Sequence, residues 1–376
     1  LPERKEEESM TSTVSFHPEF PTGEGPSVRL GGDLLTRYQS ITSAQSLQWT
    51  RRYRKLRQLG SGGQGVVFLA ERQGADHFHL PVALKVFSPE SYRDAEAYEE
   101  DMVRIAQVAV RVALIQHDNL IDLHDFIEQD GLRVMEMEWV DGYNLREVLT
   151  LGMLEITRER VDARHWKYVN NVILTQGPVQ PRMKPGVAIQ VLRDCLAGLA
   201  ALHREGIVHG DLKPSNVMLK RTGDTKVIDI GSAIDLNAAA ARRMWSPVYA
   251  APEVLNGGEN SPQADLASLG YVLIEMLSGR PAFEGLTTYR ELIAAKADLD
   301  QRLPQLLPPE VSSNDLLLHL CRRLVALDPA RRFPSAQAAD LDRKGAADFH
   351  RQLVKGDLAS EYENDIRVWL EKISES

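Results

Sequence analysis

Cysteine is nearly absent from this 376-residue chain: only Cys195 and Cys321 occur, both inside apolar runs. That excludes a disulfide framework and a cysteine-rich metal site. Two reduced thiols in apolar surroundings fit a cytoplasmic setting. No apolar run reads as long enough to span a membrane, and the opening residues, Leu1-Pro2-Glu3-Arg4-Lys5, are unlike a signal peptide. An initiator Met is also lacking, so the chain is expected to be a piece of a longer protein. Positive charge is short as well. The formal net charge of -9 and the pI near 5.7 speak against nucleic acid as a partner, because such proteins present basic surfaces. What remains is ordinary: 43% hydrophobic and 26% charged residues, enough apolar material for a two-lobed unit with extensions.

The most informative stretch is His209-Gly210-Asp211-Leu212-Lys213-Pro214-Ser215-Asn216. It lies between a helix-like run, Val187 to His203, and a strand-like segment, Lys226 to Gly231. An Asp, a Lys two residues on and an Asn five residues on place a base, a cation and a metal ligand in one loop. Phosphoryl transfer needs those groups, since the protein's contribution there is positioning and charge neutralisation. The stretch resembles the catalytic loop of the protein kinase family, HRDLKxxN, with Gly210 where the family has Arg. The resemblance implies that Asp211 accepts the substrate hydroxyl's proton, Lys213 steadies the migrating phosphoryl group and Asn216 holds Mg²⁺.

Other motifs follow in the family's order. Leu59-Gly60-Ser61-Gly62-Gly63-Gln64-Gly65 runs into the strand-like Val66, Val67 and Phe68, not into the helix that a dinucleotide site requires. It therefore reads as a glycine-rich hairpin whose backbone N–H groups approach phosphates. Val82-Ala83-Leu84-Lys85-Val86 puts one Lys in an apolar strand, a costly place without a charged partner. This strand resembles the family's VAIK and gives Lys85 the α/β-phosphate role. By the same resemblance Val67, Ala83 and Met218 sandwich adenine, Met137 guards the back of its pocket, and the backbones of Glu138 and Val140 bond its edge.

The family's Lys pairs with a Glu on the next helix, expected here over about Ser91 to Ile115. Counting forward from Lys85 reaches Glu99 or Glu100, whereas counting back from His117-Asp118-Asn119-Leu120 lands near Gln107 and Val108. The two registers differ by about two helical turns of ~3.6 residues. Either the helix has gained two turns and Glu99 or Glu100 pairs with Lys85, or the ion pair is absent.

Asp229-Ile230-Gly231 stands where the family has DFG and keeps the Mg²⁺-binding Asp. Trp245 to Glu253 resembles the GTPxYxAPE end of the activation segment, with Ser246 at the Thr position that bonds the catalytic Asp and Lys. Ser246 and Lys213 together imply Ser/Thr specificity. Asp265 to Gly270 resembles DVWSLG, and Asp328 to Arg332 supplies the Arg that pairs with Glu253 in the family.

The expected architecture is an α+β, two-lobed protein kinase fold over residues 51–340. It has a five-stranded N-lobe over about 51–140 and a mostly helical C-lobe over about 141–340. Residues 1–50 read as an extension, largely disordered or draped over the domain, and Arg51 to Lys55 as a charged lead-in to a strand. An insert over about 151–186 is basic and aromatic; it reads either as a docking surface for a regulatory protein or as an added loop with no partner. The 341–376 extension carries Leu358, Tyr362, Ile366, Trp369 and Ile373 at helical spacing. Docking back onto the domain is its first reading and self-association its second. The function expected is ATP- and Mg²⁺-dependent phosphorylation of protein Ser/Thr hydroxyls. Two alternatives stay open: a pseudokinase scaffold, and a small-molecule kinase, which also uses an HGD loop.

Overall fold

Residues 32–48, 52–238, 245–355 and 362–374 are described by the computed structural model. They divide into two units, one up to residue 116 with 122–140, the other 117–121 with 141 onwards. The first opens on helix α1 (Gly32–Ser43), then strands β1 (Ser46–Gln48), β2 (Arg52–Gly62), β3 (Gly65–Gln73) and β4 (His79–Phe87). Helix α2 (Ala95–Ala113) and strands β5 (Leu123–Gln129) and β6 (Leu132–Glu138) complete it. The sheet order is β1-β2-β3-β4-β6-β5, the five expected strands plus β1. In register, Lys85 sits between Val67 and Met135, and Ala83 between Leu69 and Met137. Cross-strand neighbours share a face, so Val67, Ala83, Lys85 and Met137 lie on one side of the sheet.

Of the two readings of residues 1–50, residues 32–48 follow the one that drapes the extension over the domain and not the disordered one, while residues 1–31 lie outside the described residues. Tyr38 and Ile41 give α1 an apolar side that is buried in the first unit. Arg37 Nη1 donates to the Asp130 carbonyl at 3.1 Å and Lys55 Nζ to the Ile41 carbonyl at 3.0 Å. The segment has too little periodicity to announce a helix by itself; the sheet supplies the surface that rewards one. The basic run begins β2 from Arg52 on, as expected of a lead-in; Arg51 lies outside the described residues.

The second unit starts with β7 (Gly142–Asn144), α3 (Leu145–Val148), and the insert helices α4 (Leu151–Arg160) and α5 (Ala163–Val172). Short strands β8 (Leu174–Thr175) and β9 (Arg182–Met183) lead to α6 (Pro185–Arg204) and β10 (Ile207–Val208). Strands β11 (Val217–Lys220), β12 (Thr225–Val227) and β13 (Ile234–Asp235) precede α7 (Pro252–Leu255), α8 (Pro262–Ser278) and α9 (Tyr289–Ala297). The rest is helical: α10 (Leu299–Leu306), α11 (Pro309–Ser312), α12 (Asp315–Leu324), α13 (Ala336–Leu341), α14 (Ala346–Lys355) and α15 (Tyr362–Ser374).

Helix α6 is long and apolar enough to cross a membrane by length and composition, contrary to the reading that no such run exists. Here it is the unit's core helix, with Val187, Ile189, Leu192, Leu199 and Leu202 all buried.

The tail helix α15 docks back on its own unit, its first expected role. Trp369 is buried, and its Nε1 donates to Thr157 Oγ1 of α4 at 3.0 Å. Tyr168 of α5 donates to Asp365 at 2.6 Å, and Gln190 of α6 to Glu363 at 3.0 Å. A Cβ on Gly186 would meet the Tyr362 ring at 2.2 Å, so only glycine lets tail and core approach this closely.

Candidate active site

The catalytic loop follows β10 and is held from beneath by one carboxylate. Asp265, buried at the start of α8, accepts from the backbone N–H groups of His209 at 2.8 Å and Gly210 at 2.9 Å. His203 Nε2 lies 2.9 Å from it. Burial acts to raise the Asp265 pKa, but the bond and charge of His203 and the Gly210 N–H outweigh it and hold the carboxyl below its ordinary range. His209 is wholly buried, and its Nε2 contacts the Ile228 carbonyl at 3.0 Å. Gly210 has φ +76°, and a Cβ there would come within 2.9 Å of the Ser232 carbonyl. This backbone therefore selects against the family's Arg.

At the loop's surface Asp211, Lys213 and Ser246 come together. Lys213 Nζ donates to Asp211 Oδ2 at 2.7 Å and to Ser246 Oγ at 2.9 Å, while the Ser246 N–H donates to Asp211 Oδ1 at 2.8 Å. Both carboxylate oxygens are thus fixed by donors from two directions, an arrangement that aims a base.

Asn216 and Asp229 are brought near each other by a hairpin. Asn216 precedes β11 and Asp229 follows β12; Val217 pairs with Val227, and the Ile228 N–H donates to the Asn216 carbonyl at 2.9 Å. The Asn216 amide nitrogen donates to the Asp211 carbonyl at 2.8 Å, which turns its side-chain oxygen the other way. Asp229 has φ +65°, and its Oδ1 accepts from the Gly231 N–H at 3.2 Å. An amide oxygen and a carboxylate are hard oxygen donors that fit Mg²⁺. Met218, assigned to the adenine, lies on β11 and is half-buried.

In the first unit, Leu59 to Gly65 is the hairpin expected, with Gly62 paired to Gly65 and Gly63-Gln64 at its turn. Leu59, Gly60, Ser61 and Gly62 are exposed. Gly65 has φ +137°, and a Cβ there would collide with the Val86 carbonyl. Lys85 is 4% exposed, and its Nζ donates to Gln64 Oε1 at 2.5 Å. The Glu138 N–H donates to the Asp122 carbonyl at 2.9 Å, and Val140 closes the unit.

Helix α2 settles the question left open by its two registers. Glu99 and Glu100 are exposed and make no ion pair with Lys85. Gln107 is exposed too, and Val108 is buried and apolar. The inward acid of α2 is Asp101, which accepts from Tyr92 at 2.6 Å and from Arg104 at 2.7 Å. The ion pair with Glu99 or Glu100 is therefore not formed, because Tyr98, Met102 and Ile105 set which side of α2 turns inward.

A protein-kinase-domain family model matches residues 53–341, most of the chain. The chain belongs to the protein kinase family. Among its relatives are the serine/threonine-protein kinases PrkC of Bacillus subtilis, 28% identical over 304 residues, and pkn2 of Myxococcus xanthus, 30% identical over 310. A third, PknD of Mycobacterium tuberculosis, is 30% identical over 288 residues. The alignments cover 80%, 79% and 76% of this chain but 41%, 32% and 38% of those proteins, so the chain spans well under half their length.

The Glu253–Arg332 pair of this kinase domain is bidentate, at 2.6 and 2.8 Å, as the resemblance implies. Two anchors of the activation segment were not read from sequence. The Tyr249 hydroxyl donates to Glu275 at 2.7 Å, and Lys296 Nζ to the Val248 carbonyl at 2.7 Å. Neither Glu275 nor Lys296 lies in a motif; their signal was a charged residue among apolar neighbours of a helix. The run Ala238-Ala239-Ala240-Ala241, whose composition suits a short helix, lies outside the described residues from 239 on.

Proposed function

We propose that this kinase domain transfers the γ-phosphoryl group of ATP to Ser or Thr hydroxyls of protein substrates. The observation that carries the reading is the Asp211–Lys213–Ser246 triangle. Asp211 accepts the hydroxyl proton as the oxygen attacks, and its fixed oxygens remove the cost of orienting it. Lys213 stands beside Asp211 and offsets charge on the migrating group. The backbone of Gly60 to Gly65 and the Lys85 ammonium hold the ATP phosphates, and Asn216 and Asp229 hold Mg²⁺. The bound ion supplies charge neutralisation on the phosphate oxygens. Val67, Ala83 and Met218 give the adenine apolar faces, and the backbones of Glu138 and Val140 its polar edge. The buried free thiols Cys195 and Cys321 support a cytoplasmic site of action.

A second reading, a nucleotide-binding scaffold, draws on the outward-facing Glu99 and Glu100. The small-molecule kinase reading has against it the Glu253–Arg332 pair, which buttresses a peptide-docking segment. Incubation with magnesium ATP and myelin basic protein, followed by phosphoamino-acid analysis, decides. Phosphoserine or phosphothreonine from wild type and not from Asp211→Asn supports the proposal; equal signals from the two support the scaffold.

A further inference from the structure

Lys296 projects from α9 into the interior of the second unit and is 2% exposed. Its ammonium lies 4.0 Å from the Tyr271 ring centroid and 4.1 Å from that of Phe283. The two rings stand edge to face, 5.1 Å apart. The bond from this aromatic seat goes to the backbone carbonyl of Val248. Burial, the largest influence, depresses the Lys296 pKa well below lysine's ordinary value, with Glu253 pulling the other way and Arg332 reinforcing the fall.

On stability grounds this is an expensive side chain. Two ring faces and one carbonyl only partly replace the water an ammonium gives up. An apolar chain of similar shape would fill the seat more cheaply. What the lysine adds is a fixed point on the activation segment. Ser246 is tied to Asp211 and Lys213, and Tyr249 to Glu275. Lys296 holds the carbonyl between them, so three consecutive anchors set the path of Ser246 to Tyr249.

We propose that Lys296 is a positioning residue for substrate docking, locking the Val248 peptide plane so that the segment beside the catalytic loop offers one backbone surface to the residues next to the accepting hydroxyl. This rests on the protein-kinase reading. The inference concerns acceptor recognition and not the nucleotide.

Lys296→Met keeps the length and apolar stem while removing the donor. The KM for myelin basic protein is expected to rise about tenfold, the scale of a lost charged hydrogen bond. The KM for ATP stays within about twofold, and kcat falls by less than the acceptor KM rises, a loss of binding and not of chemistry. The thermal midpoint is no lower than that of wild type. An unchanged acceptor KM, or equal changes in the KM values for acceptor and ATP, overturns the proposal. So does a variant that melts well below wild type, since the lysine would then be structural. Should Lys296→Met not fold, Phe283→Leu decides: it removes one ring face, keeps apolar bulk and is expected to raise the acceptor KM by a smaller factor, with no change overturning the idea. A wild-type chain unable to phosphorylate the acceptor overturns both this and the functional reading; an active wild type with an indifferent Lys296→Met overturns this alone.

Discussion

Lys213 and Lys85 are the two lysines assigned to phosphate chemistry, one in each unit, and they are held by different means. Lys213 lies 2.7 Å from the Asp211 carboxylate and also bonds Ser246. Lys85, far more deeply buried, donates to the neutral amide of Gln64, which lies between Gly63 and Gly65 at the glycine turn. The Asp211 carboxylate offsets the Lys213 charge, and the Gln64 amide oxygen orients the Lys85 ammonium. The second unit therefore carries its catalytic geometry in charge pairs anchored by the buried Asp265. The first ties its lysine to the glycine turn, with the acids Glu99 and Glu100 of α2 facing outward. In the second unit the lysine's charge is offset within the catalytic loop; in the first, Gln64 links the lysine to the glycine turn.

The largest expected effects test whether both lysine sites act in one reaction. Asp211→Asn and Lys85→Met should each lower kcat by about a thousandfold or more, because each removes several kcal/mol of transition-state stabilisation at ~1.36 kcal/mol per factor of ten. Circular dichroism melts should stay near wild type. If only Asp211→Asn is inactive, the two sites are not equivalent in weight and the comparison breaks.

A middle-sized effect separates the glycine turn from α2. Gln64→Ala should reduce kcat/KM for ATP about tenfold, while the double change Glu99→Gln with Glu100→Gln should leave it within about twofold. The reverse pattern would mean that α2 swings an acid inward during turnover.

Next comes a stability effect at a buried acid held by neutral donors. Asp194 on α6 accepts from Gln190 Nε2 at 3.0 Å and from the Thr225 N–H at 3.0 Å. Burial, with Glu363 and Asp224 adding and the Thr225 bonds opposing, pushes its pKa up to about 7. The folded chain then binds a proton that an unfolded Asp has released, so this group's stabilisation is full below about pH 4 and is lost as pH rises to about 7. The loss is a few kcal/mol at most, at ~1.36 kcal/mol per pKa unit. Urea melts at pH 5 and pH 8 should show wild type losing stability relative to Asp194→Asn; an equal gap at both pH values would be wrong for this account.

The smallest expected effect is none. Gly210 has no side chain to reach a phosphate on the activation segment. Of the hydroxyls from Ser232 to Tyr249, Ser232 is buried, Ser246 bonds Lys213 and Tyr249 bonds Glu275. Residues 239–244 carry no hydroxyl at all. Phosphatase-treated enzyme should keep its rate, and so should Ser232→Ala. A large loss, mapped to this segment and reversed by rephosphorylation, would show that the Gly210 argument fails.

Sequence reading reached furthest where the family's motifs are written in short runs, and these identified the kinase family. His209 to Asn216, Asp229 to Gly231 and Ser246 to Glu253 each occupy a few consecutive residues whose order reflects contacts with one another. It stalled on α2, because an exposed Glu and an inward Glu look alike until Tyr98, Met102 and Ile105 pick the buried side. It missed Lys296, since a lysine on an amphipathic helix reads as a solvated one. It also underrated α1, whose few apolar residues are too sparse to mark a helix before a sheet is there to cover.

By itself, then, the sequence determined the family and the two-lobed α+β architecture, and it named the residues proposed to act on phosphate, metal and proton. These depend on local spacing and on residue types that few other chemistries combine. Tertiary structure alone decided that Gln64 and not an acid of α2 meets Lys85, that Lys296 grips Val248, and that the tail helix closes over the insert through Trp369 and Thr157. Each of these joins residues far apart in the chain. Their partners are chosen by which surfaces are left to bury once the cores have packed, and that is a property of the folded chain as a whole.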